Sequence, residues 1–191
     1  IIQDNSQNII SNINQLITIG SKITSIKFTD NSPTLQVDNT NFNSVVLFAP
    51  KIQSQYKLNF LQPITVASLA ILSSLPQSKF IIDPQSTLTI NDNALNLLNN
   101  INISGLTKAA TIQLTGTSNI VTTDQAKMLA GLTGFKLSSG ATLVVTGSST
   151  DLLNPANAAV LAKATTLQLT GTTNIVTAAQ ATTLAGLTGF N

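Results

Sequence analysis

Residues 106–135 read LTKAATIQLTGTSNIVTTDQAKMLAGLTGF, and residues 161–190 read LAKATTLQLTGTTNIVTAAQATTLAGLTGF. The second segment begins 55 residues after the first, and 22 of the 30 aligned positions are identical. Self-similarity at a fixed period implies one supersecondary unit used more than once, each copy burying its apolar face against a neighbour. Any fold open to this chain must give both copies the same local structure. Function is then expected to belong to an extended surface and not to a single pocket.

Short runs with apolar residues at alternate positions place one strand face inward. Their leading pairs are Ile26/Phe28, Leu58/Phe60, Phe80/Ile82, Ile112/Leu114, Leu143/Val145 and Leu167/Leu169. The steps between first members are 32, 22, 32, 31 and 24 residues, so a long step and a short one together restore the 55-residue period. The long steps hold a second short run, at Leu35/Val37, Leu88/Ile90 and Ile120/Val121.

Between the runs lie helix start and stop signals. Asn5 and Ser6 precede Ile9, Ile13 and Leu16; Thr40 precedes Phe42 and Val45, with Pro50 as the stop; Thr65 precedes Val66, Leu69 and Leu72, with Pro76 as the stop. Asn154-Pro155 places proline in a first helical turn, where its missing N–H costs nothing. Thr122 or Thr123 and the matching Thr177 open the copied helices, which Gly131 and Gly186 close.

Strands alternating with helices predict parallel pairing. The expected fold class is α/β: a right-handed repeat solenoid with one parallel strand and a short helix per coil of about 22–32 residues, some coils with a second short strand. Its main strands, at Ile26, Leu58, Phe80, Ile112, Leu143 and Leu167, would form one parallel sheet. Residues 1–105 read as degenerate coils and 106–191 as near-identical ones, in one continuous array. Ile112 and Leu167, Leu114 and Leu169, Leu129 and Leu184, and Phe135 and Phe190 are expected to be equally buried. Neither end reads as a polar capping unit, so the array is expected to continue beyond both, or to stack on neighbouring chains.

Charge is nearly absent: nine Lys and seven Asp, with no Arg, Glu, His, Cys or Trp. Without Arg there is no bidentate fork for phosphate or guanine, and only seven Phe and one Tyr remain for base stacking. Nucleic acid is not an expected partner. The absence of Cys excludes disulfides and thiolate metal sites. Apolar stretches such as 45–48 are far shorter than the roughly 18–20 residues that span a bilayer, so no membrane span is expected.

One stretch goes beyond composition. Asp4-Asn5-Ser6-Gln7-Asn8-Ile9-Ile10-Ser11-Asn12-Ile13-Asn14-Gln15-Leu16 resembles D-T-x-x-N-I-x-x-N-L-x-x-L, the tandem repeat of very large secreted and cell-surface proteins of Gram-negative bacteria. In those repeats an I-x-S-I-x-L-T-D strand and a P-T-L-x-L strand follow the helix, places filled here by Ile23 to Asp30 and by Pro33 to Val37. The match covers residues 4–60, and Asn91-Asp92-Asn93-Ala94-Leu95 restores part of the motif. The resemblance implies an extracellular or cell-surface array with an adhesive or structural role, and it brings no catalytic residue with it.

Chemistry lacks its parts. Without His or Cys the usual nucleophilic triads cannot form, and without Glu or His neither can a zincin helix. The closest aspartates, Asp30/Asp38 and Asp83/Asp92, read as caps and turns. Asp30-Asn31-Ser32 and Asp151 with Asn154 offer oxygen ligands for calcium, but only one carboxylate each, and turn chemistry accounts for them better. Thr115-Gly116-Thr117, Thr146-Gly147-Ser148 and Thr170-Gly171-Thr172 lack the spacing of a phosphate loop and read as corners. Lys22, Lys108 and Lys163 fall just before strands, where a cation complements a helix C-terminus; a row of them is also a candidate face for an anionic polysaccharide or lipid.

The sequence thus predicts no catalytic, metal or cofactor-binding residue, and no enzyme. The expected function is a structural or adhesive repeat segment of a large extracellular bacterial surface protein. Two alternatives are a self-assembling filament or surface-layer subunit and a carbohydrate-binding module. The expected partners are neighbouring repeats, copies of the chain itself and surface polysaccharide.

Overall fold

A computed structural model of the chain describes residues 1–99 and 106–191. These divide into two compact units, Ile1–Ile90 with Lys108–Ala110, and Asn91–Thr107 with Thr111–Asn191. The boundary expected at residue 105 lies outside the described residues.

In the first unit, strand β1 (Ile2–Asp4) leads into helices α1 (Ser6–Ser11) and α2 (Ile13–Leu16), then a 3-10 turn, Ile17–Lys22. Strand β2 (Ile26–Phe28) returns beside β1 in parallel, with Ile2 opposite Ile26. Strands β3 (Thr34–Val37), β4 (Tyr56–Phe60) and β5 (Phe80–Ile82) form a second parallel sheet in that order, connected through α3 (Phe42–Phe48) and α4 (Val66–Ser74). Parallel neighbours need a crossover of a dozen or more residues, and the helices supply it. Ile13, Ile26, Leu35, Phe48, Ile52 and Leu58 are fully buried and form the centre of this core.

Strand β6 (Thr89–Asp92) crosses the division between the units, and α5 (Ala94–Asn99) follows it. The second unit continues with β7 (Thr111–Leu114), β8 (Asn119–Thr122), α6 (Thr123–Ala130), β9 (Phe135–Leu137), β10 (Leu143–Gly147), α7 (Ser149–Leu153), α8 (Ala158–Leu161), β11 (Thr166–Leu169) and α9 (Ala178–Ala185). Two further three-stranded sheets have the orders β6-β7-β9 and β8-β10-β11. Val145 of β10 lies opposite Val121 on one side and Leu167 on the other.

These pairings correct the expected fold. The architecture is mixed α/β with four small parallel sheets of two or three strands, and no solenoid is indicated. Of the six runs expected to form one sheet, only those at Leu58 and Phe80, and at Leu143 and Leu167, are neighbours. The runs read as accessory are full sheet partners instead: β3 lies beside β4, β6 beside β7 and β8 beside β10. Alternation of apolar residues specifies which face of a strand is buried, and it carries no information on which strand lies alongside.

The helix signals were read more closely. Asn5, Thr65, Thr122 and Thr177 each accept a bond from the backbone N–H three residues on. At Thr122 and Thr177 the third residue, Gln125 or Gln180, bonds back to the cap amide, so two otherwise orphaned donors are met at once. The expected cap at Thr40 is displaced: Asp38 accepts from the amides of Thr40 and Asn41, and α3 begins behind that turn. Gly116 and Gly171 share a φ of 86°, a left-handed conformation that favours glycine, and they make the corners expected of them. Gly147 is needed for another reason: a Cβ there would sit 2.7 Å from Thr123 Oγ1.

Candidate functional site

Each carboxylate proposed for acid–base or calcium chemistry is engaged in local structure. Asp30 is bonded by the Ser6 hydroxyl and by the Ser6 backbone N–H, and these bonds, the hydroxyl first, hold its carboxyl below the ordinary value. Asp38 is lowered in the same way, first by the Thr40 hydroxyl at 2.6 Å. Asp83 accepts from Gln85 N, and Asp92 accepts from Asn93 N and Asn96 Nδ2. Asp151 is bonded by the Ser148 hydroxyl and amide, which lower its pKa, while Asn154 caps Ala156. Ser148 and Asp151 are a capping box on α7, a role the sequence reading did not assign. No group of three or more potential metal ligands of the His, Cys, Asp or Glu type occurs among the described residues.

The lysines behave similarly. Lys22 and Lys108 close 3-10 turns, and the Lys163 ammonium stands 5.9 Å from the centre of the Phe135 ring. The carbonyls at the end of the first turn are met by Lys51, which donates to Gly20 O and Ile23 O. Sequence spacing could not reveal this, because Lys51 follows a different helix and reaches back across 28 to 31 residues.

A cavity of about 260 Å³ in the first unit is bordered by Asn31, Gln55, Tyr56, Lys57, Gln77 and Phe80. Tyr56, the sole tyrosine, is buried, edge-on to Phe28 and tilted against Phe80. Burial pushes its hydroxyl up to about 12. Packed in this way, the ring offers no open face on which a sugar could stack.

The feature that sequence reasoning missed is an asparagine. Asn119 is buried, and its Nδ2 donates to Thr115 O, Gly116 O and Thr142 O at 2.9–3.0 Å. Its Oδ1 accepts the backbone N–H of Ala94, the first residue of α5. Asn174, the equivalent residue of the second copy, accepts the N–H of Ser149, the first residue of α7. Asp30 does the same for Ser6 at the start of α1. A cap side chain reaches the third amide of its helix and leaves the first without a partner; here a side chain 24 or 25 residues later supplies it. The signal available in the sequence was Asn after Thr-Gly-Thr-Ser/Thr in both copies.

The two copies differ in what covers them. Ile112 and Leu167 are both buried, as are Leu129 and Leu184. Leu114 is 0% exposed, however, whereas Leu169 is 36% exposed, which corrects the expected equality. Phe135, Val121 and Ala126 are buried, and their equivalents Phe190, Val176 and Ala181 are not. In the first copy β10 pairs with β8, and α8 and β10 pack on α6. No strand pairs with residues 174–177 among the described residues. The uncovered face formed by these residues and α9 is the candidate interaction site.

Compared with known proteins, the chain matches no family model, no curated protein and no solved structure. Among the described residues, no helix is long and apolar enough to cross a membrane.

Proposed function

We propose that the chain is a structural and adhesive repeat segment of a large extracellular bacterial surface protein, a scaffold and not a catalyst. The observation that supports this best is the set of residues the duplication has kept. Asn119/Asn174, Thr122/Thr177, Gln125/Gln180, Gly116/Gly171 and Gly131/Gly186 are identical in type, and they turn the chain, cap helices or end them. Asp124 and Lys127, the ion pair of the first copy, become Ala179 and Thr182 in the second. What recurs is thus mainly architecture: of the three charged residues of the first copy, Lys108, Asp124 and Lys127, only Lys108 has a charged equivalent, Lys163. A scaffold of this kind acts by presenting several weak contacts together, so that avidity exceeds any single affinity.

Antibody raised against the chain and applied to intact source cells tests the placement, and beads coated with the chain test adhesion. Surface labelling removed by external protease, with coated beads retained on cells or on their extracted polysaccharide, is the expected result. Labelling only after permeabilisation would overturn the reading.

A further inference from the structure

Tyr56 of the first unit is 3% exposed, yet among the described residues its hydroxyl bonds to no protein group. A buried tyrosine ordinarily finds a partner for its O–H. The described side-chain atoms that are both unpartnered and sealed from solvent are Ser54 Oγ, Asn91 Oδ1 and Asn157 Oδ1, so the phenol oxygen is unpaired but reachable. The opening that Tyr56 borders is the cavity of about 260 Å³. Burial pushes the hydroxyl up to about 12, so at neutral pH it is protonated and presents a donor.

The cavity lies at the amino ends of three parallel strands. Asn31 and Ser32 precede β3, Gln55 precedes β4, and Gln77 and Ser78 precede β5. Gln55 Nε2 donates to Ser78 O at 3.1 Å, and Gln77 Nε2 donates to Leu72 O and Leu75 O, both at 2.9 Å. These bonds hold the two amides by their nitrogens, and among the described residues neither amide oxygen has a protein donor. Lys57 is the single charged residue on the border, between Thr34 and Ile81 in register. Among the described residues the one ion pair is Lys127 with Asp124, so the Lys57 ammonium has no carboxylate. Tyr56 and Lys57 are consecutive on β4 and point to opposite faces of the sheet. The cavity reaches both because it opens around the end of that sheet.

Neutral acceptors, one phenolic donor and one unpaired cation describe a ligand with several hydroxyls and a single negative charge. The volume falls just under the ~300–1,000 Å³ of drug-sized pockets, which leaves room for one ring. Because the Tyr56 ring packs on Phe28 and Phe80, recognition is through its hydroxyl and not by stacking. We propose that this cavity binds one hexuronate ring, the acidic unit of anionic polysaccharides. The Tyr56 hydroxyl and the Lys57 ammonium donate to it, and the amide oxygens of Gln55 and Gln77 accept from its hydroxyls. The polysaccharide as source rests on the adhesive reading. The site itself does not, since purified chain and free sugar suffice to test it.

The test is a nuclear magnetic resonance titration of the isotope-labelled 191-residue chain with galacturonate and, separately, with galactose, which differ only at C6. One ring held by hydrogen bonds and one charge is expected to bind with a Kd of about 1 mM, and galactose about tenfold more weakly. Tyr56→Phe keeps the ring and removes a hydroxyl that no protein group uses. It is expected to weaken galacturonate about tenfold with the melting temperature unchanged, a combination that a merely structural tyrosine would not give. Lys57→Gln should make acid and hexose bind alike, while Lys136→Gln, an exposed lysine of the second unit, should bind as wild type does. The methyl glycoside of galacturonate is expected to match the free acid, because a polymer presents its units as glycosides. Binding of the free acid alone would overturn the polysaccharide as source. No saturable shift up to about 10 mM, ten times the expected Kd, overturns the site. So does an affinity that Tyr56→Phe leaves unchanged, or one that Lys136→Gln weakens as much as Lys57→Gln. Beads coated with Tyr56→Phe that adhere as well as wild type would leave the adhesive reading standing and remove this cavity from it.

Discussion

Leu114→Ala and Leu169→Ala make the same chemical change at equivalent places of two near-identical copies. Leu114 is 0% exposed, between β6 and β9 on its sheet. Removing its three outer carbons forfeits their transfer energy and leaves a cavity in a close-packed layer, which costs about 2–5 kcal/mol. Leu169 is 36% exposed. It has about two-thirds of the transfer term to lose and opens toward solvent without enclosing a void, so its cost is about 1 kcal/mol. Urea titration followed by circular dichroism measures both, provided the slope with denaturant is the same in each variant. Equal costs at the two positions would refute the reasoning, since nothing but the cover distinguishes them.

Asn119→Ala removes the bonds to three carbonyls, of which Gly116 O keeps the Thr142 N–H, and strands the first amide of α5; it is expected to cost about 2–4 kcal/mol against about 1 for Asn174→Ala, and comparable thermal shifts would contradict this. Ser148→Ala removes the hydroxyl half of the capping box on α7 and keeps the backbone N–H of residue 148 on Asp151, and should cost about 0.5–2 kcal/mol in the same titration. Asp30, Asp38 and Asp151 have folded pKa values below the ordinary 3.8, so the stability they bring is complete above that value and is lost as pH falls below it. The melting temperature should hold near neutrality and decline below about pH 4; a rise on acidification in that range would have the wrong sign.

Local structure was legible in the sequence because its signals are local. Thr65, Thr122 and Thr177 cap helices where polar residues precede apolar periodicity, and Gly116 and Gly171 turn the chain where only a residue without a Cβ is at ease. Pairing was not legible. Leu35/Val37 and Leu58/Phe60 carry the same alternating pattern, and nothing in it shows that β3 lies beside β4 while Ile26 pairs with Ile2. A 55-residue repeat also obscures the step that the sheets use, 23 residues from Ile112 to Phe135 and 22 from Val145 to Leu167. At the candidate site, the identity of Asn119 and Asn174 was visible, but their partners 25 residues upstream and the missing cover on the second copy were not. Identical residues carry no record of what packs on them. Lys51 escaped notice for the same reason, since its partners Gly20 and Ile23 are distant in the chain.

The central claim is that one supersecondary unit occurs twice, once covered and once open. Amide hydrogen exchange on the dilute full chain compares the two directly, because β8, Asn119–Thr122, and residues 174–177 share the motif Asn-Ile-Val-Thr. β8 has β10 as a hydrogen-bonded neighbour, and residues 174–177 have none among the described strands. Slow exchange in β8 with fast exchange at 174–177 is the predicted result. Equal protection of the two segments at high dilution would contradict it.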